Sequence, residues 1–178
     1  MSRAVFLDRD GVLNRAVIRD GLPFPPRSVQ DLEVLPGVQQ ALDRLKRAGF
    51  CLVVVTNQPD VARGTQSREE VEAINDALRR ELPIDVVKVC YHDDGDHCAC
   101  RKPAPGMILE AAAELEVDLS RSYTVGDRWR DVEAGQRAGT TAILVENEYL
   151  ERKPGTPAAR VRSLKDAVEW ILAQEKVE

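Results

Sequence analysis

Ala4-Val5-Phe6-Leu7-Asp8-Arg9-Asp10-Gly11-Val12-Leu13-Asn14 is the stretch on which the reading of this 178-residue chain turns. Four apolar residues run straight into two carboxylates, the pattern of a short buried strand whose end opens into a polar site. Further along, Cys51-Leu52-Val53-Val54-Val55 is a continuous β-branched run, as a parallel strand buried on both faces requires. Residues 85–89, 122–125 and 141–145 read as three more strands. Helical patterns separate them. Pro36-Gly37 opens a helix with Val38, Ala41, Leu42, Leu45 and Ala48 on one face, and Gly49 stops it. Ser67 and Glu70 form a capping-box pattern for a helix ending near Glu81, and another helix starts near Pro105. A short helix closes at Gly139, and Ser163 with Asp166 caps the last one. Strands alternating with helices predict an α/β fold, a central parallel sheet covered on both faces, as one domain over 1–178. Residues 11–35 read as irregular, and 22–27 are too proline-rich for a helix or a central strand.

Composition narrows the function. Apolar residues make up 43% and charged residues 31%, so neither a disordered nor a fibrous chain fits. No apolar run approaches the roughly 20 residues of a membrane span, and the N-terminus lacks a signal-peptide core, so the cytoplasm is the expected compartment. With 25 basic and 30 acidic residues the net charge is −5, and the basic residues form no stripe, which argues against nucleic acid or anionic lipid as partner. No exposed apolar heptad suggests a partner chain, and a monomer is expected.

In parallel sheets ligands bind beyond the carboxyl ends of the strands. Four polar clusters follow strands here: Asp8 with Asp10, Thr56 with Asn57, the segment from Cys90 to Lys102, and Asp127 with Asp131. Solvated loops explain any one of them, but the combination poorly. Two carboxylates two residues apart suit nucleophilic attack on phosphorus with proton transfer by the neighbour. Cys90-x-His92 and Cys98-x-Cys100 are separated by five residues and offer three thiolates and an imidazole, a complete tetrahedral set for Zn²⁺. Four protein ligands leave no open position, so the zinc is expected to be structural; His97 is a substitute ligand ranked below His92. Trp129 reads as a packing residue and Cys51 as an inert buried thiol.

The string D-x-D-G-x-x-N at Asp8 resembles motif I of the haloacid dehalogenase-like phosphohydrolases. Thr56, Lys102 and Gly126-Asp127-x-x-x-Asp131 resemble motifs II, III and IV, in order. The resemblance implies a Rossmann-like three-layer sandwich, without a large cap domain because the insertion after motif I is small. It implies a Mg²⁺-dependent phosphatase working through an aspartyl phosphate. Asp8 is then the nucleophile and Asp10 the general acid and base. Mg²⁺ is held by the Asp8 carboxylate, the Asp10 backbone carbonyl, Asp127 and, through water, Asp131. Thr56, the Asn57 N–H and Lys102 bind the phosphoryl oxygens.

The C-x-H and C-x-C pairs followed by Arg101-Lys102-Pro103 resemble the zinc-bearing members of that family, the heptose 1,7-bisphosphate 7-phosphatases and the histidinol phosphatases. A phosphorylated sugar is the implied substrate, its 7-phosphate the group removed, in nucleotide-activated heptose synthesis. The implied substrate contacts are Ala16, Val17, Ile18, Arg19, Thr56, Asn57, Gln58, Arg101, Lys102 and Arg128. Histidinol phosphate, a polynucleotide 3′-phosphate and a non-catalytic zinc-stabilised binding module are the competing readings.

Overall fold

The structure, a computed structural model, describes residues 2–176. In chain order the elements are strands β1 (Arg3–Leu7), β2 (Val17–Arg19) and β3 (Leu22–Phe24), helix α1 (Val38–Arg47), β4 (Phe50–Asn57), α2 (Arg68–Glu81) and β5 (Val86–Cys90). They continue with α3 (Gly106–Glu114), β6 (Tyr123–Gly126), α4 (Trp129–Ala138), β7 (Thr141–Val145), β8 (Ala159–Val161) and α5 (Leu164–Gln174). Six strands form one parallel sheet in the order β5-β4-β1-β6-β7-β8.

Side-chain alternation explains why both faces of this sheet are apolar. Val5 and Leu7 of β1, with Leu52 and Val54 of β4, pack on α1, α2 and α5 through Leu42, Leu45, Ile74, Leu78, Val168 and Ile171. Ala4, Phe6, Val53 and Val55 point the other way, onto Met107, Ile108 and Ala111 of α3 and Ala134 and Ala138 of α4. The sheet is thus the middle of three layers. Helix boundaries follow local chemistry: Ser67 Oγ accepts from the Glu70 N–H while the Glu70 carboxylate accepts from the Ser67 N–H, closing the capping box of α2.

The chain leaves β1 for β4 and β5 on one side, then returns to β6 and β7 on the other. β1 therefore lies at the switch point, with Leu7 paired to Val54 of β4 and Val125 of β6. A crevice opens at such a reversal, and the residues just beyond these three strands line it.

Two departures from the sequence reading are local. The sheet has a sixth strand, β8, at its edge; it is three residues long, carries a half-exposed arginine and follows Lys153-Pro154-Gly155-Thr156-Pro157, so it has no apolar run to reveal it. The proline-rich segment is not irregular throughout: Val17–Arg19 and Leu22–Phe24 pair as an antiparallel hairpin outside the main sheet. A two-stranded ribbon tolerates Pro23 because it has free edges. Among the described residues no helix is long and apolar enough to cross a membrane.

Leu42 is fully buried in the larger core, whereas the Ser67 cap faces solvent. Leu42→Ala is expected to destabilise by about 2–5 kcal/mol and Ser67→Ala by about 1 kcal/mol. Denaturant unfolding of the two variants checks the ranking; equal losses would contradict this placement of the core.

Candidate active site

Asp8 follows β1, Thr56 lies near the end of β4, and Asp127 follows β6, so the sheet order sets Asp8 between the other two. All three are buried, as are Asp131 in the first turn of α4 and Lys102. The Lys102 ammonium lies 2.8 Å from Asp8 Oδ1 and 2.6 Å from Asp131 Oδ1, and donates to the Val55 carbonyl at 2.7 Å. Asn57 fixes the Lys102 backbone from both sides, accepting from its N–H at 3.0 Å and donating to its carbonyl at 3.1 Å. Carboxylate oxygens of Asp8, Asp127 and Asp131 lie within 4.8 Å of one another.

Packing three carboxylates around one ammonium is electrostatically expensive. Burial first, then the Asp131 charge, pushes the Asp8 carboxyl up to about 6 against the attraction of Lys102. Burial and the charges of Asp8 and Asp131 raise Asp127 well above the usual carboxylate range. Burial disfavours the Lys102 cation too, but Asp131 and Asp8 outweigh it and its pKa is raised. The Asp127 Oδ1 atom is buried without a hydrogen-bond partner. An orphan acceptor amid clustered hard oxygen donors fits a divalent cation held by oxygen ligands. Two glycines make room for the cluster. A Cβ on Gly11, at φ +90°, would lie 1.9 Å from Asp127 Oδ2, and one on Gly126 would lie 2.1 Å from the Asp131 Cβ.

Asp10 lines the same pocket, and its carboxylate is held by three side chains: Arg9, Asn14 at 2.9 Å and Gln58 at 2.9 Å. Gln58 is fully buried; its amide also donates to Thr56 Oγ at 2.9 Å, which leaves the threonine proton free for an acceptor in the pocket. Expected as a substrate contact, Gln58 thus lies behind Thr56 as a support.

The pocket, a cavity of about 210 Å³, is walled on one side by Leu22, Pro23, Phe24 and Pro25. Val17, Ile18 and Arg19 sit on the opposing, exposed strand of the hairpin, Ala16 is half-buried just before it, and Arg19 lines a separate depression with Phe24 and Arg63. The lining strand is the one the sequence reading assigned only to a proline-rich loop. Four arginines rim the pocket: Arg63, Arg101, Arg128 and Arg130. Of these, Arg101 and Arg128 are among the residues expected to contact substrate, whereas Arg63 and Arg130 are not. Each meets a carboxylate of this chain: Arg63 the two oxygens of Asp93, both at 2.7 Å, Arg128 Glu151 at 2.9 Å, and Arg101 and Arg130 both Asp94. Trp129 lies outside this pocket, beneath the guanidiniums of Arg130 and Arg152 at 4.7 and 4.5 Å.

Cys90, His92, Cys98 and Cys100 gather at the end of β5. Their sulfur and Nδ1 atoms are separated by 2.9–3.7 Å, with His92 Nδ1 3.3 Å from Cys100 Sγ. Soft donors converging in this way fit a tetrahedral zinc. His92 rather than His97 joins the cluster. Cys98 is drawn down to about 7: burial opposes this, but hydrogen bonds from the Arg101 N–H and the neighbouring thiols outweigh it.

Three residues that sequence reasoning missed support the carboxylates. Arg9, an arginine between two catalytic candidates, is fully buried, bonds Asp10 and donates to Asn75 Oδ1 at 2.8 Å. Tyr149 donates to Asp127 Oδ2 at 2.6 Å, and Asn147 donates to the Asp127 carbonyl. No spacing rule links residues 147 and 149 to 127; only the adjacency of β6 and β7 brings them together.

Comparison with known proteins agrees with this geometry. Residues 99–167 match the HAD-hydrolase-like family model. The D-glycero-beta-D-manno-heptose-1,7-bisphosphate 7-phosphatase of Escherichia coli K12 is 35% identical over 182 residues, covering 95% of this chain and 87% of that one. The enzyme of the same name from Bordetella bronchiseptica is 38% identical over 149 residues, covering 81% and 80%. A crystal structure of D,D-heptose 1,7-bisphosphate phosphatase from B. bronchiseptica, complexed with magnesium and phosphate, superposes with a TM-score of 0.83 at 33% identity, covering 97% of this chain and 99% of that one.

A raised carboxyl pKa has a defined consequence for stability. The folded state holds the Asp8 proton more tightly than the unfolded chain, so this contribution is fully present below about pH 4 and is lost as pH rises through about 6. In buffer free of divalent cations, the stability of the wild type relative to Asp8→Asn is expected to fall across that window by on the order of 3 kcal/mol. Chemical denaturation at several pH values measures it; a flat difference would contradict the buried-carboxylate geometry.

Proposed function

The chain belongs to the haloacid dehalogenase-like hydrolases, and we propose that it is a Mg²⁺-dependent phosphatase removing the 7-phosphate of D-glycero-D-manno-heptose 1,7-bisphosphate. The observation that carries this reading is the meeting of Asp8 with Lys102, Asp127 and Asp131 at the base of an arginine-rimmed pocket. Asp8, the backbone carbonyl of Asp10 and Asp127 would hold the metal, with Asp131 through water. When bound, Mg²⁺ supplies the charge that lets an anionic carboxylate approach an anionic phosphate.

This chain's own residues do the rest. An oxygen of Asp8 attacks phosphorus as the bond to the C7 oxygen breaks, giving an aspartyl phosphate. Asp10 gives a proton to the departing sugar oxygen, then takes one from the water that attacks the phosphorus and regenerates Asp8. Gln58, Asn14 and Arg9 set the position from which Asp10 starts. Thr56 and Lys102 donate to the equatorial phosphoryl oxygens, where the transition state spreads its charge. Arg101 and Arg128 contact the sugar and its outer phosphate.

Zn²⁺ bound by Cys90, His92, Cys98 and Cys100 is structural: it ties down the loop that carries Arg101 and Lys102. Histidinol phosphate fits less well, because it has no second phosphate for the rim arginines to bind. The substrate is a small soluble metabolite, and we place the enzyme in the cytoplasm, as a monomer with no nucleic-acid partner.

Purified protein is expected to turn over the heptose bisphosphate in preference to histidinol phosphate, with the anomeric phosphate retained in the product by phosphorus NMR. Asp8→Asn should abolish that turnover, and Asp10→Asn should lose roughly 10²–10⁴-fold. Release of the 1-phosphate first, or a faster reaction with histidinol phosphate, would refute the assignment.

The zinc is checked separately. Elemental analysis should find one zinc per chain, and Cys98→Ser should lose it together with thermal stability. A fully stable, metal-free Cys98→Ser protein of unchanged activity would show the cluster to be dispensable.

A further inference from the structure

Asp94 sits where a carboxylate has no evident structural need to be. It lies on the loop between the zinc-ligand pairs, its side chain 58% exposed, yet it bridges two rim arginines. Its Oδ1 accepts from Arg101 Nε at 2.7 Å and Arg130 Nη1 at 3.0 Å, and its Oδ2 from Arg130 Nη2 at 3.1 Å. Two guanidiniums therefore share one carboxylate at the edge of the pocket.

Both arginines are held by contacts other than Asp94. Arg130 donates to the Lys102 carbonyl at 3.2 Å and lies over the Trp129 ring; Arg101 donates to the His92 carbonyl at 3.4 Å. Their side chains are only 20% and 10% exposed. Arg101 Nη2 also lies 3.8 Å from Asp93 Oδ1. If Asp94 turned into water, the Arg130 fork and the Arg101 Nε–H would still converge on the place its carboxylate leaves. A planar fork that binds two carboxylate oxygens binds two phosphate oxygens equally well, and a phosphate dianion brings twice the charge.

We propose that Arg130 joins Arg101 and Arg128 in holding the second phosphate of the substrate, and that Asp94 occupies the place of that phosphate in the free enzyme and is displaced when the bisphosphate binds. Arg130 is then a specificity-determining residue, and Asp94 a built-in competitor for its guanidinium. The inference rests on the sugar-bisphosphate reading above, but requires only that the outer group be a phosphate, whichever sugar carries it.

Steady-state kinetics on a panel tests it: heptose 1,7-bisphosphate, fructose 1,6-bisphosphate, glucose 1,6-bisphosphate and p-nitrophenyl phosphate, which lacks a second anion. For the preferred bisphosphate, Arg130→Ala should raise KM at least roughly tenfold more than it does for p-nitrophenyl phosphate. Arg130→Lys should restore only part, since an ammonium cannot fork. Asp94→Ala should lower KM for the bisphosphate severalfold with kcat little changed. If Asp94→Ala raises that KM, Asp94 is a strut and the displacement is wrong. Equal Arg130→Ala losses on both substrate types would remove Arg130 from the subsite while leaving the heptose reading intact. Turnover of another sugar bisphosphate but not the heptose one, with the Arg130 effect present, would refute the heptose reading and uphold the subsite. Should no bisphosphate outperform p-nitrophenyl phosphate, the subsite itself is overturned.

Discussion

The Lys102 ammonium, enclosed by Asp8 and Asp131 with Asp127 beside them, is the interaction on which the rest of the structure depends. Buried like charges repel strongly, so a fold that assembles three carboxylates within a few ångströms needs cationic compensation. One ammonium neutralises part of the cluster, and the remaining oxygen donors suit a divalent cation. The sheet order follows the same requirement. Asp8 must emerge between the strands that deliver Thr56 and Asp127, and only a chain reversal about β1 achieves it. Helices on both faces then exclude water from the strands, which keeps the carboxylates in a medium where their charges act strongly.

Lys102 itself comes from a loop, and a long loop positions a side chain poorly unless it is fastened. Here the fastening is double. The Cys and His cluster gathers the loop at one end, with the Arg101 N–H donating to Cys98 Sγ at 3.3 Å, and Asn57 clamps the Lys102 backbone at the other. The same loop carries Asp93 and Asp94, which bond to arginines of the rim. The Cys and His cluster, Lys102 and the rim arginines are therefore one mechanical unit, although their chemistries differ.

A buried polar layer supports Asp10 from behind. Arg9 is enclosed completely, and its guanidinium is divided between Asp10 and Asn75, while Gln58 ties Asp10 to Thr56. An uncompensated arginine in that position would cost several kcal/mol, so its bonds to Asp10 and Asn75 are needed. Tyr149 and Asn147 do the equivalent for Asp127 from the far side of β6. Both loops thus lean on residues outside the carboxylate cluster.

Much of this was legible in the sequence for a definite reason. Strands buried on both faces must be continuously apolar, and helices with one buried face must repeat every three to four residues, so β1, β4 and β7 and the helices α1 and α2 declared themselves. Asp8, Asp10, Asp127 and Asp131 stood out as carboxylates that follow apolar strands, Thr56 and Lys102 through their resemblance to motifs II and III, and the thiol and imidazole pairs because together they make a four-donor zinc set. Edge strand β8 and the proline-bearing hairpin carried no such pattern, since neither is buried on two faces. Which side chains support the site was decided only by tertiary structure. Arg9 reads as a solvated arginine until the fold encloses it; Tyr149 meets Asp127 only because β7 lies beside β6; Arg130 reaches Asp94 across thirty-six residues of chain. Such contacts depend on distance in space, and a linear sequence records the demands each element makes on its own surroundings but not which distant residue will meet them.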